Sequence, residues 1–421
     1  MNENNYSPRQ KSRKLKPPSH DELAALWKNE RSLTTFGFGR FHRYKYGFWQ
    51  PVDEMIIQTE IFEILKRQKK YGINPSASLL NSITKLAQVV AWIEPSRWNW
   101  MRDYICFTNG VLYYPTRTFS QNSEDYYFTT GLGYEYSPTA TCPNFMRALD
   151  TTIPQAKDFL QEFIGYALTM DTLQEIAVWL YGPPGCGKST ILTGIQAALG
   201  FMAGSLDLSS LQNSNFGLAN LPGKTLLFAN EQPSLYLKIT SKLNSLISGE
   251  LIRIEEKYKP AYYVIPHAKL IWAMNELPKI PSISNGLFRR VKVIEFPPLD
   301  ESRKDTSLKK LVNDEGPGIL NWALDGLDRL TKRGRFEIPT SVLESTNNFV
   351  RENDSPALFL EEYREERKNQ RIQSSILHNA YKIWCEENKM EPISIHAIKE
   401  HWVKLKLLEK HINGKIYWEG F

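Results

Sequence analysis

Cysteine is scarce in this chain of 421 residues: Cys106, Cys142, Cys186 and Cys385 stand far apart and form no C-x-x-C pair. That spacing supports neither a zinc site nor a disulfide framework. His396 and His401 are too few and wrongly spaced to share a metal from one helix face. No H-x-H pair occurs, and no internal repeat is evident. Long apolar runs are missing too. None approaches the roughly eighteen residues that cross a bilayer, and the polar start MNENNYSPRQ has no signal-peptide core. The expectation is a reducing cytoplasm and no membrane partner. A net charge of +6 is a mild lean towards polyanions.

What is present is one strong local pattern. The apolar run Ile176–Tyr181 leads into Gly182-Pro183-Pro184-Gly185-Cys186-Gly187-Lys188-Ser189-Thr190, and helical spacing follows from Ile191 to Ala198. Strand, glycine-rich loop and helix in that order, with spacing G-x-x-x-x-G-K-S, form a phosphate-binding loop. Glycines let backbone N–H groups curl around phosphates, and the helix start adds the positive end of its dipole. Lys188 reaches the β/γ-phosphates as a point charge, and the Ser189 hydroxyl suits Mg²⁺. A ligand-free glycine turn is the bland alternative, and the flanking strand and helix weigh against it.

Residues 1–20 are polar and basic and read as a disordered arm, equally a solvated tail or a DNA contact. A mixed region spans 21–104, with hairpin-like alternation at Phe41–Trp49 and helical spacing at Met55–Lys66. Residues 105–172 begin β-rich, with a turn signal at Asn109-Gly110, and turn helical from Ile153 to about Met170. From 173 to 298 buried strands alternate with helices, the rhythm of an α/β core. Residues 299–354 read as helical. The last module, 355–421, shows helices at Ser374–Glu387 and Ile395–Leu407 and a hairpin about Asn413-Gly414, a winged-helix pattern.

Within the core, Lys224–Glu231 is an apolar strand ending in an acid, where a nucleotide hydrolase keeps a carboxylate for water and Mg²⁺. Asn230 stands where Asp is usual, which leaves Glu231 as the key group. Lys269–Glu276 repeats the design and puts Asn275 at a strand tip, able to bond a γ-phosphate or its water. Between them, Ser241–Glu250 reads as a helix closing on Gly249. The strands Leu251–Glu256 and Ala261–Ile265 then flank Lys257-Tyr258-Lys259-Pro260. A basic, aromatic hairpin tip suits a phosphate backbone and a stacked base, although taken alone a solvated tip is the simpler reading. Arg289 and Arg290 immediately precede the strand Val291–Phe296. An arginine there can reach a neighbouring subunit's γ-phosphate.

In this order and spacing the set resembles superfamily 3 DNA helicases. From about Cys106 onward the chain looks like their phage/plasmid and poxvirus-type primase–helicase subgroup, through Thr108–Leu112, Tyr126–Thr130, Phe163–Thr169 and Gly318–Leu324. The resemblance implies an AAA+-like P-loop ATPase core with an N-terminal helical collar and a C-terminal winged helix. It implies a ring, usually a hexamer, that hydrolyses ATP with Mg²⁺ and draws single-stranded DNA 3′ to 5′ in the replication of a phage, plasmid or integrated element in a bacterial host. On that pattern Lys188, Glu231, Asn275 and Arg289 are catalytic. Lys242 reaches the nucleotide, Arg290 is the rival finger, and Lys257, Tyr258 and Lys259 hold DNA. Paired carboxylates of a primase are not found, so priming by a separately encoded primase or initiator is the expectation. A DNA-bound loader that hydrolyses ATP without unwinding is the competing reading.

Overall fold

The computed structural model describes residues 16–214, 217–232, 237, 240–257, 261–280, 285–300, 302, 305, 307–366, 370–388, 390 and 392–421. They divide into two compact units, one built mainly of residues up to 131 and one mainly of residues from 132 onward.

In the first unit, helix α1 (His20–Glu30) starts where the Ser19 N–H donates to Glu22 Oε2 at 2.7 Å. Strands β1 (Thr34–Gly37), β2 (Arg40–Lys45) and β3 (Phe48–Val52) form an antiparallel sheet in that order. Helices α2 (Glu54–Arg67) and α3 (Ala77–Val90) follow. Successive strand residues face opposite ways. Phe41 therefore joins Trp27, Ile57, Ile61 and Ile83 in a core with the helices, while Trp49 packs with Trp98 and Tyr127. Each such large side chain contributes about 1.5–3 kcal/mol on burial. The Phe41–Trp49 run is a hairpin, and β1 adds a third strand that its short, polar-rich sequence did not announce. Strands β4 (Tyr104–Cys106), β5 (Val111–Tyr113) and β6 (Thr118–Ser120), whose residues are divided between the two units, form a second small sheet.

In the second unit, α4 (Pro143–Thr152) and α5 (Lys157–Ala167) precede the central sheet, with a 3₁₀ turn at Pro154–Ala156 between them. The expected helix from Ile153 thus begins as a tighter turn. The core then runs β7 (Ala177–Tyr181), α6 (Lys188–Leu199), β8 (Ala203–Ser205), α7 (Leu208–Asn213), β9 (Leu226–Gln232) and α8 (Ser241–Ser248). It continues through the hairpin β10 (Ile252–Ile254) and β11 (Tyr262–Val264), then β12 (Lys269–Met274), α9 (Asn285–Arg290) and β13 (Val291–Glu295). Five strands pair in parallel, in the order β13-β7-β12-β9-β8. All six residues of β12 are buried, as a strand covered on both faces requires. Trp179 and Trp272 are register partners with stacked rings 6.4 Å apart, and Trp272 Nε1 donates to the Leu206 carbonyl at 2.7 Å.

Helices α10 (Leu308–Asn313), α11 (Gly316–Arg333) and α12 (Thr340–Glu352) follow. α11 lies on α5, where Gln161 Nε2 donates to the Trp322 carbonyl at 2.6 Å and buried Glu162 pairs with Arg329 and Arg333. α12 lies along β13, whose Val293 N–H donates to Thr346 Oγ1 at 3.0 Å and so meets a partner at the sheet edge. The chain ends with α13 (Ser355–Glu366), β14 (Ile372–Gln373), α14 (Ser374–Glu387), α15 (Ile395–Lys404), β15 (Leu408–Ile412) and β16 (Lys415–Glu419). The sheet order there is β14-β16-β15, over a core of Tyr381, Trp402 and Trp418. α15 stops short of Leu407 because Lys406 turns to φ 67°. No helix among the described residues is long and apolar enough to cross a membrane.

Candidate functional site

The loop between β7 and α6 sits at the C-terminal edge of the parallel sheet. Gly182, Gly185 and Gly187 have φ of 152°, 77° and 97°, a region that side chains disfavour. Space forbids side chains as well. A Cβ on Gly182 would lie 2.4 Å from the Phe296 carbonyl oxygen, and one on Gly187 would lie 2.8 Å from Thr152 Cγ2. Pro183, Pro184 and Gly185 are exposed at the crest, whereas Cys186 is buried beneath it. Thr190 lies in the first turn of α6, its N–H donating to the Gly187 carbonyl at 3.1 Å.

Lys188 is only 7% exposed. Its ammonium donates to the carbonyls of Gly182 at 2.6 Å and Pro183 at 2.9 Å, and to Asn275 Oδ1 at 3.1 Å, with Cys186 Sγ at 3.3 Å. A buried cation needs such partners. The lysine is thereby held inside the loop, joined directly to the tip of β12.

Glu231 lies on the neighbouring strand. β9 pairs with β12 so that Gln232 is level with Met274, which puts Glu231 and Asn275 at adjacent strand ends. Glu231 is exposed, as is Asn230. Asn230 Oδ1 accepts from Gln196 Nε2 of α6 at 3.2 Å. Ser189 is seven residues before Gln196 on α6, so both share the helix face turned towards β9. An exposed hydroxyl and an exposed carboxylate thus lie on facing elements. Mg²⁺ usually keeps several waters and takes one or two carboxylates plus phosphate oxygens, and Ser189 with Glu231 suits that demand. Among the described residues no cluster of three or more His, Cys, Asp or Glu offers a complete metal cage.

The two arginines part company. Arg290 is 8% exposed, its guanidinium donating to Glu175 Oε2 at 2.6 Å and to the Gly286 carbonyl at 2.9 Å. The Arg289 side chain is 68% exposed and only loosely paired with Glu175, at 3.6 Å. Glu175, which anchors Arg290, had no distinguishing sequence signal, and neither had Gln196. Lys242 is exposed in the first turn of α8, which packs beside α9. Lys257 is exposed at the end of the β10–β11 hairpin, while Tyr258 and Lys259 lie outside the described residues.

Three families match parts of the chain. Residues 27–154 match one described as D5 N terminal like, 180–290 match a family of unknown function (DUF5906), and 351–415 match one described as poxvirus D5 protein-like. Two solved apo structures of the C-terminal region of NrS-1 are similar in fold. One, the A form, is 14% identical with a TM-score of 0.54, covering 94% of this chain and 97% of that one. Another is 12% identical with a TM-score of 0.53, covering 95% and 98%.

Proposed function

We propose that this chain, which belongs to the phage/poxvirus-type primase–helicase C-terminal family, is an ATP-dependent DNA helicase whose hydrolytic sites lie between subunits of a ring. A replication-related, helicase/primase-type role and action on nucleic acid come with the family. We further propose ATP with Mg²⁺ as the substrate, a hexameric ring, 3′ to 5′ travel and a winged helix at residues 355–421. One observation carries it: the loop lysine bonds Asn275 at 3.1 Å while Glu231 occupies the next strand end of the same sheet edge. A cation, a neutral amide and a carboxylate stand in a row, which is what hydrolysis of a phosphoanhydride calls for.

An arriving triphosphate would take Lys188 from the carbonyls of Gly182 and Pro183, while backbone N–H groups of the loop bind its oxygens. Mg²⁺, held by Ser189 and Glu231, would neutralise charge on the phosphates. Glu231 also polarises the attacking water, and Asn275, bonded to Lys188, is placed to respond to loss of the γ-phosphate. Arg289 extends into solvent and so is free to complete the site of a second copy. Arg290 is already committed to Glu175 and serves the fold. The β10–β11 hairpin adds a DNA grip. Exposed Tyr263 pairs across the strands with exposed Arg253, and aromatic–basic pairing suits single strands.

The test is ATP hydrolysis and strand displacement on a 3′-tailed fork. DNA should stimulate hydrolysis. The double variant Lys257→Ala, Lys259→Ala should keep hydrolysis but lose displacement at least about tenfold, since a hydrogen bond to a charged group supplies about 1.5–3 kcal/mol. Displacement equal to wild type would remove the hairpin from the mechanism. Hydrolysis without displacement by the wild type would instead mark a loader.

A further inference from the structure

A cavity of about 250 Å³ adjoins the loop on the side away from β12. It is lined by residues 152–156, by the end of β13 and by the first two turns of α12. Two of these linings abut the loop itself. Thr152 Cγ2 is the atom that a Cβ on Gly187 would strike, and Phe296, whose carbonyl crowds Gly182, lies between the lining residues Glu295 and Pro297. At that volume the cavity falls below the ~300–1,000 Å³ that receives a whole drug-sized ligand, so it suits one part of a nucleotide.

Its chemistry is that of a base pocket. Ile153, Pro297 and Val342 supply apolar surface, and Gln155, Glu295 and Ser341 supply polar edges. Glu295 Oε2 accepts from Ser345 Oγ at 2.9 Å, which orients the carboxylate and leaves acceptor capacity over. The Ser341 hydroxyl is buried without a partner among the described residues. Buried polar atoms are almost always satisfied, so an orphan lining a cavity points to something that enters it.

We infer that this cavity is the base-recognition half of the nucleotide site, and that Glu295 selects a base bearing an exocyclic amino group by accepting its hydrogen bond. The inference rests on the loop being a triphosphate site. An ionised carboxylate only accepts, so it favours the amino edge of an adenine-type base and repels a carbonyl oxygen at the same place. Ser341 can donate to the adjacent ring nitrogen and Gln155 can do either. A site built to bond a donor rejects the analogue lacking it, because its own polar groups are then left unpaired.

The experiment compares ATP with purine riboside triphosphate, which lacks the amino group, as substrates of the full chain with Mg²⁺. Wild type should show a KM at least about tenfold lower for ATP, in line with a charged hydrogen bond. Glu295→Ala should bring the two within about twofold by raising the ATP value. Glu295→Gln, whose amide oxygen still accepts, should recover part of the preference. Equal KM values in wild type, or discrimination that survives Glu295→Ala, would overturn the assignment while leaving the triphosphate loop standing. Failure to bind either nucleotide would remove the triphosphate reading, and the base pocket with it.

Discussion

Arg289 and Arg290 are chemically identical neighbours, and only their surroundings separate them. Arg290 bonds Glu175 and the Gly286 carbonyl from a nearly buried position, whereas Arg289 is largely exposed. Arg290→Ala should therefore cost about 1–3 kcal/mol of stability by removing a buried side chain and its bonds to a charged group and a carbonyl, and Arg289→Ala should stay within about 0.5 kcal/mol. Urea denaturation of both variants checks this, and equal costs would erase the distinction. The sequence showed two arginines before a strand and left them rivals, because side-chain exposure depends on Glu175, far away along the chain. The loop was legible for the opposite reason: its glycines answer to local backbone geometry. Glu231 and Asn275 were legible as strand ends, but their adjacency needed the pairing of β9 with β12.

Among the elements, β12 carries a group with no part in the proposed chemistry. Lys269 opens that strand 3% exposed, its ammonium donating to the carbonyls of Thr169 at 2.6 Å and His267 at 3.0 Å and lying over the Tyr166 ring. Burial pushes it down from 10.5 to about 7, with nearby Asp171 opposing. The unfolded chain then binds the additional proton between pH 7 and 10.5. Stability should rise with pH across that window and lose this slope below it. Melting temperatures from pH 7 to 10 should climb relative to those of Lys269→Met; parallel curves would contradict the burial effect. Turns show how local signals mislead. Asn413-Gly414 forms a hairpin turn with φ of 49° and 75°, as its sequence announces. Asn109-Gly110 also joins two strands, yet neither residue has positive φ, while Phe38-Gly39 and Tyr46-Gly47 take that shape with an aromatic in the lead. The strand pairing around them overrides residue preference there.

For the whole molecule, the proposed chemistry depends on assembly. An exposed arginine that bonds nothing firmly within its own chain, and a loop whose lysine meets only carbonyls, a thiol and an amide among the described residues, make sense as two halves of one site. Each half was readable in the sequence as a candidate; the proposed meeting between copies is a matter of assembly, beyond any single chain. The decisive measurement mixes two variants, Lys188→Ala and Arg289→Ala, each expected to be without hydrolysis, and follows ATP turnover. Random mixing leaves about one interface in four with both an intact lysine and an intact arginine, so the mixture should regain about a quarter of wild-type turnover. A mixture as inactive as its components, or an Arg289→Ala protein that hydrolyses ATP normally by itself, would contradict the shared site.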